Sequence, residues 1–279
     1  MDKLTKEEIA ALTERYNLIQ ESYKILVANV KADNSQTECI EFLSDFRKID
    51  ADILKEAGVF FNENVDEAYY LCGQDENTLY NLSLSNKTLN YTGRFMLPLL
   101  NMKNELVCWI GYDYESDAKY LIGLLGVGDK RHLIYGVNDI ERAFEESTII
   151  VTEGFFERLR LKEIGLNVGV SLVGKKMSDW HKMFLNQFDN VILIPDGDAE
   201  GQAAIPQWLS GLTSNICVLH LIEREKTFDY GEGELVTKSA KDLDDLLRDE
   251  PEKASEFHAL YEEIKQKLKT TAYYETSFS

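Results

Sequence analysis

Cysteine is scarce in this chain. The four present, Cys39, Cys72, Cys108 and Cys217, lie far apart and form no CxxC pair and no Cys/His cluster. That excludes a zinc ribbon or finger and gives no basis for a disulfide framework. No zinc is expected, and a reducing, cytoplasmic setting fits the free thiols. Proline is equally rare, with four in 279 residues, so no proline-rich linker divides the chain. No apolar run approaches the roughly 18 residues needed to cross a bilayer, so no membrane association is expected. The opening stretch MDKLTKEEIAALTERY is charged and helical in its spacing, unlike a secretory signal. Basic residues are in short supply as well: 30 Lys and Arg stand against 49 Asp and Glu, a formal charge of −19. A chain this acidic does not coat nucleic acid indiscriminately. The 44% apolar and 28% charged composition is that of a soluble globular protein, not a disordered one.

What is present has clear order. Thr5 and Glu8 form a T-x-x-E capping box, which satisfies the first unpaired N–H groups of a helix. Ile9, Leu12, Tyr16, Ile19, Tyr23, Leu26 and Val30 then recur at spacings of three and four, predicting one helix over residues 1–31 with a single apolar face. That face suits docking on the helix's own domain, or a coiled-coil seam. Residues 33–37 read as a loop, followed by short helices around 38–46 and 50–57. Residues 67–113 read as strands and hairpins, with RFMLPLL (94–100) and LVCWIGYDY (106–114) joined by the polar turn NMKNE. Asn138 and Glu141 mark the start of another helix, running to about Glu146.

From Thr148 the pattern changes. TIIVT (148–152), VGVSL (168–172), VILIP (191–195) and NICVLHL (215–221) are apolar runs without alternation, separated by helical segments at 154–164, 178–187 and 199–211. Strands of this kind, alternating with helices, predict a parallel sheet buried on both faces. In such sheets function collects at the carboxyl ends of the strands. There, Glu153 and Gly154 follow TIIVT, and Asp196, Gly197 and Asp198 follow VILIP. Glu157 lies one turn beyond Glu153. A further acidic group, Lys241–Asp242–Leu243–Asp244–Asp245, opens a helix after the last of these strands. Singly, such acids are ordinary helix caps and first-turn residues. Together they suit a hard divalent cation that prefers oxygen ligands and keeps bound water. The aromatic residues Tyr69, Tyr70, Trp109 and Tyr112 could stack bases, but on strands they suit a core or sheet face better. His181, His220 and His258 are isolated and read as structural or surface residues, whereas His132, among basic neighbours, could contact phosphate.

These residues resemble the Toprim pattern, a Glu-Gly after one strand and an Asp-x-Asp after a later one. The surroundings narrow the resemblance to the RNA polymerase domain of DnaG-type bacterial and phage primases. RFMLPL (94–99) resembles that family's R-x-M-F-P-I strand, and DAKYL (117–121) its PKYLNSP segment. DKRHLIYG (129–136) resembles the basic HKGRQLYG stretch, and VTEGFFERLRL (151–161) resembles VEGYMDVIAL, with Glu157 in place of Asp. VSLVG (170–174), VILIPDGDAEGQAA (191–204) and KDLDDLL (241–247) resemble ASLGT, VILCFDGDxAGxxA and KDPDEYL. The matches run in the family's order, and residues 37–61 resemble its lead-in.

The resemblance implies a mixed α/β fold: a Toprim parallel-sheet subdomain at 147–250, preceded by a helical and β-rich subdomain at 1–146 and followed by a C-terminal helix and tail at 251–279. It implies DNA-templated synthesis of short RNA primers by nucleotidyl transfer. Mg²⁺ or Mn²⁺ would be held by Glu153, Glu157, Asp196, Asp198, Asp242 and Asp244, with Glu153, Asp196 and Asp198 as the catalytic set. Arg94, Lys119, Lys130 and Arg131 would contact the template. The implied partners are single-stranded DNA, ribonucleoside triphosphates, and a replicative helicase or a separate zinc-domain protein. The setting would be the cytoplasm of a bacterium or of a phage-infected host. The departures are also clear. The family's zinc ligands have no counterpart here, 251–279 is too short for its helicase-binding domain, NSP is replaced by IGL (122–124), and 223–240 reads as an unpatterned insertion. Two other classes stay open on the residues alone: a Toprim nuclease, and a non-catalytic adaptor that binds DNA or a replication protein.

Overall fold

The computed structural model describes residues 4–85, 91–115, 120–125, 130–222, 224–229, 235–240 and 242–278. The chain divides into two compact units, Met1–Lys130 and Arg131–Ser279.

The first unit opens with α1 (Lys6–Ala32), whose Thr5/Glu8 capping box is formed. Ile19 and Leu26 are buried, whereas Ile9 and Leu12 stay exposed, so this helix docks on its own unit through its second half. Gln20 fixes its orientation: its side-chain amide donates to the Leu106 carbonyl (2.9 Å) and accepts from the Leu106 N–H (2.7 Å). α2 (Asn34–Arg47) begins inside the stretch read as a loop, because Asp33 caps it through the Ser35 N–H. α3 (Ala51–Glu56) and β1 (Phe60–Asn62) follow. α4 (Val65–Leu71) and α5 (Glu76–Asn81) correct the expectation of strands there. Asn64 and Asp75 each accept two backbone N–H bonds at their starts, and these local caps override the aromatic, strand-like composition. β2 (Arg94–Leu100), β3 (Leu106–Tyr112) and β4 (Tyr120–Leu124) complete an antiparallel sheet in the order β1-β2-β3-β4. Trp109 and Tyr112 are core residues; the Trp109 indole donates to the Leu82 carbonyl and meets Tyr23 and Phe60 edge-on. Tyr69 and Tyr70 lie exposed on α4 rather than on a strand.

The second unit holds α6 (Glu141–Glu146), β5 (Thr148–Thr152), α7 (Phe155–Glu163), β6 (Gly169–Ser171), α8 (Asp179–Leu185), β7 (Asn190–Ile194), α9 (Ala199–Leu209) and β8 (Asn215–Leu221). β9 (Arg224–Asp229) and β10 (Leu235–Ala240) pair as an antiparallel hairpin within the segment read as an unpatterned insertion. α10 (Leu243–Asp249), α11 (Lys253–Leu268) and β11 (Tyr273–Phe278) follow. The five-stranded sheet has the order β11-β8-β7-β5-β6, and its neighbours all pair in parallel. Every residue of β5 is buried, as a strand covered on both faces requires. Residues 131–146 belong to this unit because Ile134, Ile140 and Ala143 sit in its core. Ile140, not Asn138, occupies the cap position of α6, and no side chain caps that helix there. Residues 251–279 are more than a tail: Phe257, Tyr261, Ile264, Leu268 and Phe278 are part of the same core, and β11 closes one edge of the sheet.

Glu146 ties α6 to α11. It accepts hydrogen bonds from Tyr261 Oη (2.7 Å), Lys265 Nζ (2.6 Å) and Arg142 Nε (2.6 Å). Burial alone would raise its pKa, but these three donors outweigh it and hold the carboxyl at about 2. Its contribution to stability is therefore present above the ordinary carboxylate range and is lost as pH falls toward 2. Glu146→Ala is expected to cost about 1.5–3 kcal/mol at neutral pH by urea unfolding, and the difference from wild type should shrink in acid.

Candidate metal centre at the strand ends

The acids predicted from the sequence gather at the C-terminal ends of β5 and β7 and at the start of α10. Glu153 leaves β5 with 6% of its surface exposed. Its Oε1 accepts the backbone N–H of Asp196 (3.2 Å), so the ends of two neighbouring strands are joined through a carboxylate. Its backbone oxygen accepts from Ser171 Oγ (2.9 Å), which fixes the end of β6 as well. Glu157, one turn into α7, is 2% exposed. Its Oε2 accepts the Gly154 N–H (2.6 Å), and its Oε1 is buried with no hydrogen-bond partner.

Asp196 and Asp198 are half-buried. Asp198 caps α9, accepting from the Gly201 N–H (2.8 Å), and the Gln202 amide donates to the Asp196 carbonyl (3.0 Å). Gly201 is required for close approach: a Cβ there would overlap the Asp196 backbone oxygen and come within 2.8 Å of its Cβ. Asp242 caps α10 through the Asp245 N–H (2.7 Å). Carboxylate oxygens of Asp242, Asp244 and Asp245 lie within 4.8 Å of one another.

Electrostatics follow from the crowding. Burial raises the pKa of Glu157 well above the carboxylate range, and Asp242, Asp196 and Glu153 raise it further. Burial, with Asp245, Asp244 and Asp196, pushes Asp242 up to about 7. Crowding and burial therefore disfavour ionisation of Glu157 and Asp242, and a bound cation would offset that penalty. The donors are hard carboxylate oxygens, one of them a buried oxygen without a partner. The set therefore fits a divalent ion of the Mg²⁺ or Mn²⁺ class.

Asp244, whose carboxylate lies within 4.8 Å of those of Asp242 and Asp245, is 1% exposed and is also engaged by Arg160. Arg94 belongs to the first unit, where it pairs with Asp113 (3.5 Å). Lys119 lies outside the described residues, and only the backbone of Lys130 is described, in a short 3₁₀ turn over Lys130–His132. Arg131 is exposed, with its carbonyl held by Ser178 Oγ (2.6 Å). The segment it opens is fastened along β6 by the Tyr135–Ser171 bridge, and Gly136, at φ +91°, rests on the Arg158 side chain. His181 is buried between Ser178 and the Leu133 carbonyl, His220 bridges Gln202 and Glu275, and His258 bonds the Ile164 carbonyl. All three serve local structure.

Asp245, read from the sequence as one of the acids that open this helix, completes the acidic group of α10. Two residues escape the sequence reading. Arg160 is a buried cation beside that group, and its signal was two arginines inside the otherwise apolar run FFERLRL. Lys175 is paired with Glu200, and its charge is felt by Asp198 and Glu153.

Residues 150–232 match the family model described as Toprim-like. A DNA primase of Staphylococcus aureus is 27% identical over 212 residues, covering 69% of this chain and 34% of that protein. The chain thus spans about a third of the length of the curated relatives it matches. The Aquifex aeolicus primase, in a structure of its zinc-binding and RNA polymerase domains, superposes with a TM-score of 0.66 at 19% identity, covering 94% of this chain and 63% of that one. This chain has the fold of a DnaG-type primase RNA polymerase domain. The corresponding domain of Mycobacterium tuberculosis, solved with a double-stranded DNA oligomer carrying a 6-nucleotide overhang, is similar with a TM-score of 0.63 at 16% identity, over 88% of this chain and 80% of that one. Among the described residues no helix is long and apolar enough to cross a membrane.

The raised pKa values of Asp242 and Glu157 have a signed consequence. Groups whose pKa is raised by folding favour the folded state in acid and penalise it as pH rises through the folded value. Without divalent ion, the melting temperature is expected to fall as pH rises through about 7, the value for Asp242. Added Mg²⁺ or Mn²⁺ should then restore more at about pH 8 than at about pH 6. A cation-induced shift of the same size at both pH values would contradict the assignment.

Proposed function

We propose that this chain is the catalytic core of a DNA primase, which synthesises short RNA primers on single-stranded DNA. The observation that carries the reading is the buried, partnerless Glu157 oxygen among carboxylates from β5, β7 and α10, set in a fold shared with DnaG catalytic cores. The reaction is nucleotidyl transfer: a primer 3′-hydroxyl attacks the α-phosphate of a ribonucleoside triphosphate, and pyrophosphate leaves.

Glu153, Glu157, Asp196 and Asp242 would hold Mg²⁺ or Mn²⁺, with Asp198 beside them. The bound cation supplies neutralisation of phosphate charge and a lowered hydroxyl pKa. The protein's own groups do the rest. Glu153, whose Oε1 accepts the Asp196 N–H, would accept the hydroxyl proton as general base. Glu153 and Glu157 are themselves buried, which strengthens each charge interaction they make. Arg131, on the segment anchored along β6, would offer a cation to a template backbone, as the resemblance implies for Lys130, Lys119 and Arg94 as well.

A Toprim nuclease would need the same acids. Likeness to primase cores extends over 94% of the chain, far beyond the Toprim-like segment, and this favours synthesis over cutting. The net charge of −19 bears on partners. A local basic strip on so acidic a chain binds template weakly, so a replicative helicase or a separate zinc-domain protein is the natural source of added affinity and start-site choice.

Two experiments test this. The purified chain, incubated with single-stranded DNA, four ribonucleotides and Mn²⁺ or Mg²⁺, is expected to yield short oligoribonucleotides that Asp196→Asn and Glu153→Gln abolish while remaining folded. Metal-dependent cutting of DNA without synthesis would replace the reading with the nuclease. Separately, fluorescence anisotropy should show weak binding to single-stranded DNA at ~0.15 M salt, strengthening steeply as salt is lowered. A tight, salt-insensitive complex would contradict the requirement for a partner.

A further inference from the structure

The helix that carries Glu157 also carries two arginines with almost no exposure, Arg158 at 2% and Arg160 at 3%. A buried guanidinium needs a partner. Arg158 donates to the Asp139 carbonyl (3.0 Å) and side chain. Arg160 reaches across to α10: its Nε and Nη2 both donate to Asp244 Oδ1, at 3.1 and 2.9 Å. Arg160 also pairs with Glu163. From the far side, Arg248 places Nη1 3.9 Å from Asp244 Oδ2 and Nη2 2.7 Å from Asp245. Asp244 therefore sits between two guanidiniums. Among the described residues, Asp242, two residues earlier, has no such cation: its carboxylate lies within 4.8 Å of those of Asp244 and Asp245.

We propose that Arg160 is a positioning residue that takes Asp244 out of the cation-holding set, leaving Asp242 as the ligand by which α10 enters it. The inference rests on reading the acidic group as a divalent-cation site, and it departs from the resemblance, which assigns both aspartates to the metal. The pair joins α7 to α10, the two helices whose first turns present Glu157 and Asp242. Moving Asp244 onto a dication would take two charge-assisted hydrogen bonds from Arg160 and leave that buried guanidinium, with Glu163, facing the dication. Burial and repulsion both oppose the exchange.

The test is Mn²⁺ affinity of the full chain, read by the paramagnetic resonance of the free ion. It needs no DNA and no turnover. The double variant Arg160→Met/Asp244→Leu replaces the ion pair with apolar side chains, an exchange that buried pairs commonly tolerate. Its Mn²⁺ affinity should stay within about twofold of wild type, whereas Asp242→Asn should lose about tenfold or more. Arg160→Met alone frees the Asp244 carboxylate and should tighten Mn²⁺, an effect that a purely structural role would not produce. Crystals of the unaltered chain grown with Mn²⁺ answer without substitution: the ion is expected on Asp242, with Asp244 still on Arg160. Loss of affinity in a folded double variant equal to that of Asp242→Asn, weakening in Arg160→Met, or an Asp244–Mn²⁺ bond in the crystal each overturns the proposal. No Mn²⁺ binding by wild type overturns the cation site itself. A failed primer-synthesis assay with these affinities intact removes the primase reading and leaves this one standing.

Discussion

Like charges forced together out of water are the constraint on which the second unit depends. Glu153, Glu157, Asp196 and Asp242 come from four places in the sequence and converge where burial already penalises ionisation. Such a group exists only if the surrounding structure over-determines it. The means are visible. Backbone N–H groups of Gly154, Asp196, Gly201 and Asp245 each donate to one acid of the group or its neighbour Asp198. A missing side chain at Gly201 lets α9 press against Asp196. The Arg160–Asp244 pair braces the two helices behind.

The scaffold places these donors with little freedom. Parallel strands of Ile and Val, buried on both faces, end at a common rim, so acids that follow β5 and β7 are neighbours by topology. The helices that leave this rim point their N-termini back toward it. Their unpaired N–H groups are the natural complement of carboxylates. Glu157, Asp198 and Asp242 all use that complement, since each accepts a bond from the first turn of its own helix or the residue before it. Ordinary helix capping and cation binding are thus served by the same side chains, and the sequence alone could not separate the two roles.

Legibility followed physical locality. The strands 148–152, 191–195 and 215–221 were readable because a doubly buried strand must be apolar throughout. The acids were readable because they follow such strands directly. The α4 and α5 helices were not, since VDEAYYL and ENTLYN owe their helices to single capping residues that composition hides. β11 was missed for a related reason. YYETSF lies with alternate residues exposed at a sheet edge, and its pairing partner β8 is more than fifty residues earlier. Arg160 and Asp244 are 84 residues apart, and nothing in either neighbourhood announces the other. Buried charges in an apolar helix were the only hint.

The place of β11 has a consequence for how the sheet is completed during synthesis. One edge, β6, is covered early by the Tyr135 bridge, from a segment that precedes it in the chain. The other edge, β8, waits for residues 273–278, beyond a hairpin and two helices. Until they emerge, an apolar strand of Ile216, Cys217, Val218 and Leu219 shows a row of unpaired backbone groups to its surroundings. Closing it is a long-range event of the slow kind. The nascent chain therefore passes through an interval in which its most strand-prone edge is open to any other strand nearby.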